Sequence, residues 1–233
     1  MKYTISAMFV LAIASASFAQ SFTDSFEGAT ASPAGASGNV ISGANTWDWI
    51  NNSAGGPGLV SWNIQTNSTV FPAHDGISFL SANFNSSTGA NNIDNWIFSP
   101  VRTLSNGDTF SFWTRTQANP ATWADRLNLM VSTNGASTSF GDFTQVLSVN
   151  PQVTTTGYPG EWTEFSYTVV GLNAPVSGRF AFNYNVPNGG PSGANSNFIG
   201  IDSVSYQSVP EPATMLVLGL GAAAAAARRR RNK

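Results

Sequence analysis

Apolar and polar residues alternate along several segments in the second half of the chain. The clearest are TFSFWTRT, RLNLMVST and GRFAFNYNV, which begin at Thr109, Arg126 and Gly178. Every second side chain in the core of each segment is apolar, which is the pattern of a β-strand with one buried face. Shorter runs of the same kind, FTQVLSVN, WTEFSYTVV and FIGIDSVSY, predict further strands.

Turn-forming residues separate these segments. SNGD, STNG, GYPG and PNGGPSG punctuate the second half, and longer Gly/Pro/Asn/Ser clusters such as ASPAGASGNVISGAN make the first half loop-rich. No sustained helical period occurs before the C-terminal tail, so we predict an all-β, jelly-roll-like antiparallel β-sandwich. A domain boundary near residues 85–92 is an alternative, but the segment before it has too few predicted strands for a second core.

The first twenty residues, MKYTISAMFVLAIASASFAQ, have the three parts of a secretory signal. Lys2 precedes an apolar stretch from about Ile5 to Ala14, and small residues lead to a cleavage site after Ala19. We therefore predict a signal helix over residues 1–19 and a mature chain from Gln20. The alternative is a buried N-terminal helix, but the stretch is too short to span a bilayer and lies at the extreme N-terminus, which favours the signal.

The C-terminal segment VPEPATMLVLGLGAAAAAARRRRNK also has three parts. Pro210 and Pro212 restrict φ and cannot donate backbone hydrogen bonds, so they keep the start of the segment extended. An apolar run of about 15 residues follows and predicts a transmembrane helix about 22 Å long, shorter than the hydrocarbon core of roughly 30 Å. A cluster of cations then stops translocation on the cytoplasmic side; it consists of Arg228, Arg229, Arg230 and Arg231.

This order of parts resembles the PEP-CTERM sorting signal, with the motif at Val209, Pro210, Glu211 and Pro212. The resemblance implies recognition by an exosortase, a membrane enzyme of Gram-negative bacteria whose systems accompany exopolysaccharide production. It also implies three regions, with the signal peptide at 1–19, the body at 20–208 and the sorting signal at 209–233. An ordinary membrane anchor and a basic nucleic-acid-binding tail are the alternatives.

The charge of the body excludes several classes of protein. Between Gln20 and Val209 there are four arginines, no lysine and eleven acidic residues, a net charge of −7. Such a body would repel nucleic-acid phosphates, so we expect no nucleic-acid partner. Without cysteine or lysine it has no thiol nucleophile, disulfide, Schiff base or P-loop, and a single histidine rules out a two-histidine zinc site.

Candidate catalytic residues are few. Glu161 and Glu164 in GEWTEF lie three positions apart, which in a strand points them to opposite faces, so they do not form a glycosidase pair by themselves. Asp94 and Asp125 would each need a partner supplied by the fold. His74 lies in VFPAHDG, where we expect an ordinary loop residue rather than a catalytic base.

The body is similar to a choice-of-anchor J domain, a relative of the cleaved-adhesin and MAM-type jelly rolls. The similarity covers Ser21 to Gln207 and rests on DSFEG, NIDNWIFSPVRTL, DTFSFWTRT, ADRLNLMVSTNG, YPGEWTEFSYTVVGL and FIGIDSVSY in this order. The resemblance implies a sandwich carried by exported bacterial surface proteins and used for display or adhesion rather than catalysis.

The same resemblance implies a structural calcium ion near the meeting point of the first and last strands. Its expected ligands are Glu27 and Asp202, with Asp24 or Asp125 as further candidates. Calcium prefers six to eight oxygen ligands, and no contiguous calcium-binding loop is present. The alternative is that these acids cap turns.

Three classes of function remain, and we favour a non-catalytic adhesive or structural protein of the cell surface or exopolysaccharide matrix. The expected partners are the exosortase, the membrane before processing, and extracellular polysaccharide. The second class is a carbohydrate-binding module, in which Trp47 and Trp49 would stack on sugar rings, with Trp62 and Trp123 as further indoles in loop-rich contexts. The third is a secreted glycan-active enzyme.

Overall fold

Short antiparallel strands make up the protein, which we describe from a computed structural model covering residues 21–117 and 121–209. The strands are β1 (Phe22–Asp24), β2 (Thr30–Ala31), β3 (Ser37–Ser42), β4 (Asn45–Asn51), β5 (Asn63–Thr66), β6 (Ser78–Asn83), β7 (Ile93–Phe98), β8 (Arg102–Leu104), β9 (Thr109–Thr116), β10 (Leu127–Ser132), β11 (Thr144–Val149), β12 (Thr163–Thr168), β13 (Val176–Val186) and β14 (Phe198–Gln207). Two 3₁₀ turns, Phe84–Ser86 and Phe140–Asp142, interrupt them.

The predicted signal helix and C-terminal helix lie outside these residues. Within the part of the chain that the structure covers, no helix is long and apolar enough to cross a membrane.

The strands form two sheets. Sheet A has the order β12-β9-β14-β6-β5, with β1 also paired to β14, and sheet B has the order β11-β10-β13-β7-β4-β3-β2, with β8 also paired to β13. All these pairs are antiparallel. The prediction of an all-β antiparallel sandwich is therefore confirmed.

The first half of the chain contains more strand than we expected. Six strands precede Phe84, and they contribute to both sheets instead of forming a separate core. The segment NVISGANTW, which its Gly and Asn content marked as loop, is a hairpin in which Ser42 pairs with Asn45. Gly43 has a φ of +56°, which suits a two-residue hairpin turn. The turn residues were recognised, but the strands on either side of them were not.

Aromatic side chains from β9 and β13 hold the two sheets together. The ring centroids of Phe110 and Phe180 are 4.4 Å apart, and those of Phe112 and Phe182 are 4.8 Å apart in an edge-to-face arrangement. All four side chains are buried. The apolar faces predicted for these strands are the faces that meet in the core, and in a protein without disulfides this packing supplies much of the stability.

A second aromatic cluster covers the outer face of sheet A. The segment between β5 and β6 lies across that face, where Phe71 stacks on Phe79 at 5.1 Å. The indole N–H of Trp162 donates to the carbonyl oxygen of Pro72 at 2.9 Å. This covering segment continues into residues 74–78, which contact two of the predicted calcium ligands.

We expect Phe182→Ala to lower the free energy of unfolding by about 3–5 kcal/mol, because it leaves a cavity where β13 meets β9 and β4. The control is Val170→Ala, at a side chain that is 66% exposed, which should change stability by less than about 0.5 kcal/mol. Urea denaturation followed by tryptophan fluorescence measures both. Equal losses for the two variants would show that inter-sheet aromatic packing does not dominate the core.

Candidate functional site

Four buried aspartates fix the ends and loops of the sandwich. Asp24, Asp108, Asp125 and Asp202 are each at most 6% exposed. A buried carboxylate is tolerated only when hydrogen bonds replace its lost hydration. Each of the four accepts bonds from at least three donors, and each joins parts of the chain that are distant in sequence or sit at an element's end.

Asp24 joins the first strand to the β3–β4 hairpin. Its carboxylate accepts bonds from the Ser42 hydroxyl at 2.6 Å, the Trp47 indole N–H at 2.9 Å and the Phe26 backbone N–H at 3.0 Å. This arrangement holds the Trp47 ring in the core, where it stacks on Phe182 at a centroid distance of 6.2 Å.

The prediction that Trp47 and Trp49 stack on sugar rings is wrong for this fold. Both lie on the inner face of β4 and are at most 1% exposed, so no ligand reaches their rings. Trp62 is equally buried. The alternation in TWDWI, with two indoles separated by one polar residue, is itself the pattern of a half-buried strand and could have indicated this.

The two predicted calcium ligands do contact one common segment. A carboxylate oxygen of Glu27 accepts bonds from the backbone N–H groups of Ile77 and Ser78 at 2.8 and 2.7 Å. Asp202 accepts bonds from the N–H groups of His74 and Asp75 at 2.8 and 3.0 Å. The residue from the start of the chain and the one from the last strand thus cap the same turn, residues 74–78.

The donor set at this turn falls short of a calcium centre. The bonded carboxylate oxygens already face backbone N–H groups, and calcium takes six to eight oxygens. Among the residues that the structure covers, no three acidic or histidine side chains come together in a way that could hold a metal. Asp24 and Asp125 are engaged in other networks. The observed hydrogen bonds are those expected if Glu27 and Asp202 cap the turn at residues 74–78. Calcium binding stays a prediction.

Glu161 and Asp94, two of the candidate catalytic acids, also make structural contacts. Glu161 pairs with Arg115 at 3.2 Å. Asp94 accepts bonds from the Trp96 indole N–H and the Asn52 and Asn183 amides at 2.7–2.8 Å. Asp94 belongs to sheet B, whereas Glu164 is exposed on β12 of sheet A, so the fold does not bring these two onto one sheet.

His74 stacks on Trp113 with ring centroids 4.0 Å apart, and its Nδ1 lies 2.8 Å from the Ser203 hydroxyl. These contacts fit the loop role that the sequence indicated, in which the ring packs on the outer face of sheet A. His74 also belongs to the turn that Asp202 caps.

A groove opens at the end of the sandwich where β6 ends and β14 begins. Its volume is about 250 Å³, and we call it the distal groove. Trp123 and Phe84 face it with 45% and 37% of their surfaces exposed. Its other lining residues include Gly190, Pro191, Ser192 and Ser196. Trp123 is one of the four indoles that the sequence places in loop-rich contexts, but nothing in the sequence indicates that Phe84 lies beside it.

Asp125 supports this groove from below. It is fully buried and accepts bonds from the Tyr184 hydroxyl at 2.6 Å and the Asn197 backbone N–H at 2.8 Å. Burial raises the pKa of its carboxyl above the usual range. The Ser196 backbone N–H donates to the carbonyl of Ala124 at 2.7 Å, so the loop that carries Trp123 and the loop that precedes β14 are joined directly.

The opposite end of the sandwich carries the junction with the sorting segment. The backbone N–H of Val209 donates to buried Asp108 at 2.9 Å, and that of Ser208 donates to the Ser21 hydroxyl at 3.0 Å. Hydrogen bonds therefore connect the sandwich to the chain as far as Val209, the first residue of the VPEP sequence. β14 spans ten residues, about 30 Å, between the distal groove and this junction.

The chain combines an antiparallel β-sandwich with a C-terminal segment that follows it directly in the sequence, which is the organisation of an exported protein with one folded domain and a sorting signal. The chain belongs to the Cleaved Adhesin Domain family, whose profile matches residues 37–166, and residues 208–231 match the PEP-CTERM protein-sorting motif. Both resemblances seen in the sequence are thereby confirmed, although the choice-of-anchor J grouping stays a prediction. Together the two matches indicate an exported cell-surface protein.

Two solved structures share the fold. The K1 Cleaved Adhesin domain of Lys-gingipain from Porphyromonas gingivalis W83 has 15% identity and a TM-score of 0.52, covering 82% of this chain and 99% of the domain. The K3 domain of the same protein has 18% identity and a TM-score of 0.50, covering 82% and 100%. At these identities the likeness concerns the fold alone. The comparison with curated proteins gave no match.

We expect Asp202 to make stability depend on pH. Burial raises its pKa to about 6, above its value in the unfolded chain, although bonds from His74, Asp75 and Ser203 oppose the shift. A raised pKa means that the folded state binds the proton more tightly. Its stabilising contribution should therefore be present below about pH 4 and lost as the pH rises through 6.

The measurement is the free energy of unfolding from pH 4 to 8 for the protein and for Asp202→Asn. As the pH falls, the free energy of unfolding of the unmodified protein should increase relative to that of Asp202→Asn. Glu164→Gln, at an exposed carboxylate on β12, is the matched control. A pH-independent difference would contradict the assignment to Asp202.

The calcium hypothesis makes a separate prediction. An ion bound only to the folded state stabilises it by about 2.7 kcal/mol at a hundredfold excess over Kd, so the melting temperature should rise with calcium and fall with chelator. Glu27→Gln or Asp202→Asn should remove this response. If the melting temperature stays the same in chelator and millimolar calcium, these acids act only as caps of the turn.

Proposed function

We propose that this protein is an exosortase substrate whose non-catalytic β-sandwich acts in adhesion or as a structural element of the envelope surface or exopolysaccharide matrix of a Gram-negative bacterium. In this proposal the body, residues 20–208, is delivered by the sorting signal at 209–233. The exosortase is the partner during sorting, and the membrane is a partner before processing.

The observation that carries the proposal is the direct continuity between the sandwich and the sorting motif. The motif match begins at Ser208, one residue after β14 ends at Gln207. Asp108 is fully buried and holds Val209 at the same point. The end of the sandwich that carries Val209 is therefore adjacent in sequence to the sorting motif, and the distal groove lies at the other end of β14.

The surface composition supports a display role. The body has a net charge of −7, with no lysine, and two of its four arginines form ion pairs, Arg115 with Glu161 and Arg179 with Asp48. Three of the candidate catalytic acids, Glu161, Asp94 and Asp125, are held in structural contacts, whereas Glu164 is exposed. These features suit an acidic, well-solvated module better than an enzyme.

A carbohydrate-binding module is the second candidate, and the distal groove is the observation that favours it. An exposed indole in a groove offers the kind of surface on which sugar rings stack. The two candidates are compatible, because binding to matrix polysaccharide is itself a means of adhesion.

We expect replacement of Pro210, Glu211 and Pro212 together by alanine to leave unprocessed precursor in the membrane. Prolines restrict φ and cannot donate backbone hydrogen bonds, so the sequence predicts an extended motif, which is a form that a processing enzyme can bind. Intact-mass analysis of the protein recovered from its producing cells measures the outcome, and it also reports cleavage after Ala19.

The matched control replaces two exposed prolines and one exposed glutamate of the body, Pro33, Pro57 and Glu164, by alanine. This variant should be processed normally. Mature protein that still contained Arg228 to Arg231 would argue against exosortase handling and favour an ordinary membrane anchor.

A further inference from the structure

We propose that the distal groove binds a neutral glycan, with one sugar ring packed against the indole of Trp123. This inference rests on the proposed function, since it names the ligand of the adhesive surface. It concerns different residues from the indoles that the sequence indicated, because Trp47 and Trp49 lie in the core.

Trp123 differs from the core tryptophans in its exposure to solvent. Trp47, Trp49 and Trp62 are buried in the core, whereas Trp123 is 45% exposed on a groove wall. Within residues 21–117 and 121–209, its indole makes no ring–ring contact. An indole left in water costs hydrophobic free energy, and covering it with the C–H face of a sugar recovers that free energy.

The rest of the lining complements a sugar rather than a hydrocarbon. Phe84 and Pro191 extend the apolar wall, while the Ser192 hydroxyl is exposed beside it. Gly190 and Gly193 form a floor of bare backbone. A site that combines a flat ring with a few hydroxyl and amide groups suits a ligand that has both C–H faces and hydroxyls.

Charge selects a neutral ligand. Among the residues that the structure describes, the groove lining contains no ionisable side chain. The body around it has a net charge of −7, so an anionic polysaccharide would be repelled. A cationic ligand would find no carboxylate among the lining residues, and the nearest buried acid, Asp125, already accepts three hydrogen bonds.

The groove is held in shape before a ligand arrives. Gly190 has a φ of +79°, and a Cβ there would lie 2.4 Å from the carbonyl oxygen of Gly89, so only glycine allows this close approach. The Ser192 N–H donates to the same carbonyl at 3.0 Å, and Asn195 donates to Pro187 at 3.0 Å. A preformed site loses less conformational entropy on binding.

A peptide is the competing ligand, and the geometry favours it less. Extended peptides gain affinity by pairing with the free edge of a sheet. The groove is lined by loop residues and by the 3₁₀ turn Phe84–Ser86 rather than by an edge strand. A proline-rich peptide that packs on aromatic rings is the remaining form, and the experiment tests it directly.

The test titrates the full chain, purified in detergent, with neutral cello-, xylo- and galacto-oligosaccharides and follows tryptophan fluorescence. At least one of them should bind saturably. Trp123→Leu, which keeps an apolar side chain but removes the flat ring, should weaken binding by about tenfold or more. Trp123→Tyr, which keeps a flat ring, should retain most of the affinity.

Two control variants should bind normally, Val170→Ala at an exposed apolar side chain and Trp113→Phe on the outer face of sheet A. An anionic oligogalacturonate should not bind, and a proline-rich peptide should not compete. The inference is overturned if no neutral oligosaccharide binds at millimolar concentration, if Trp123→Leu binds as tightly as the unmodified protein, or if only the peptide binds.

Intact-mass analysis of the same variants in producing cells separates this inference from the proposed function. Normal processing without sugar binding would overturn the groove inference and leave the sorting proposal standing. Sugar binding by a protein that is not processed would overturn the sorting proposal and leave the groove inference standing.

Discussion

Buried carboxylates that accept several hydrogen bonds are the constraint on which the rest of this structure depends. An ionised group inside a protein is destabilising unless its hydration is replaced, so each such group requires its donors to stay in place. Asp24, Asp108, Asp125 and Asp202 each gather donors from separate segments. In a chain without cysteine they act where other exported domains use disulfides. Removing one donor would leave a buried carboxylate with an unsatisfied hydrogen-bonding position, so each network stays intact only while the surrounding fold is intact.

The positions of these aspartates divide the sandwich into two functional ends. Asp108 sits at the base, where it binds Val209 beside the sorting motif, and Asp125 sits beneath the distal groove. The long strands β13 and β14 run between the two ends. Because strands in a packed sandwich are stiff, the groove is carried at a fixed distance from the base. A ligand held in the groove would therefore be held at a defined height above the junction.

Sequence pattern predicted the part of the fold that depends on local alternation. The strands that contain Phe112 and Phe182 were found because their apolar residues recur every second position. The β3–β4 hairpin was missed because its Gly and Asn content outweighed a short strand signal, and Trp47 was misplaced for the same reason. Local pattern could not place Trp123 beside Phe84, since this proximity depends on how β6 and β14 pair.

The residues of the candidate binding site lie on loops, whereas the residues that fix the fold lie in the strands and the core. The groove is built from loops whose backbone bonds, such as Ser192 to Gly89 and Ser196 to Ala124, are made by groups that every residue other than proline possesses. Apart from Gly190, side chains on these loops can change without loss of those bonds, whereas Asp125 and the packed aromatics below cannot. Ligand preference can therefore vary at Trp123 and its neighbours while the base and the sorting junction stay constant. In the adhesive module that we propose, the loops that face a ligand can therefore vary without disturbing the end of the sandwich that carries Val209.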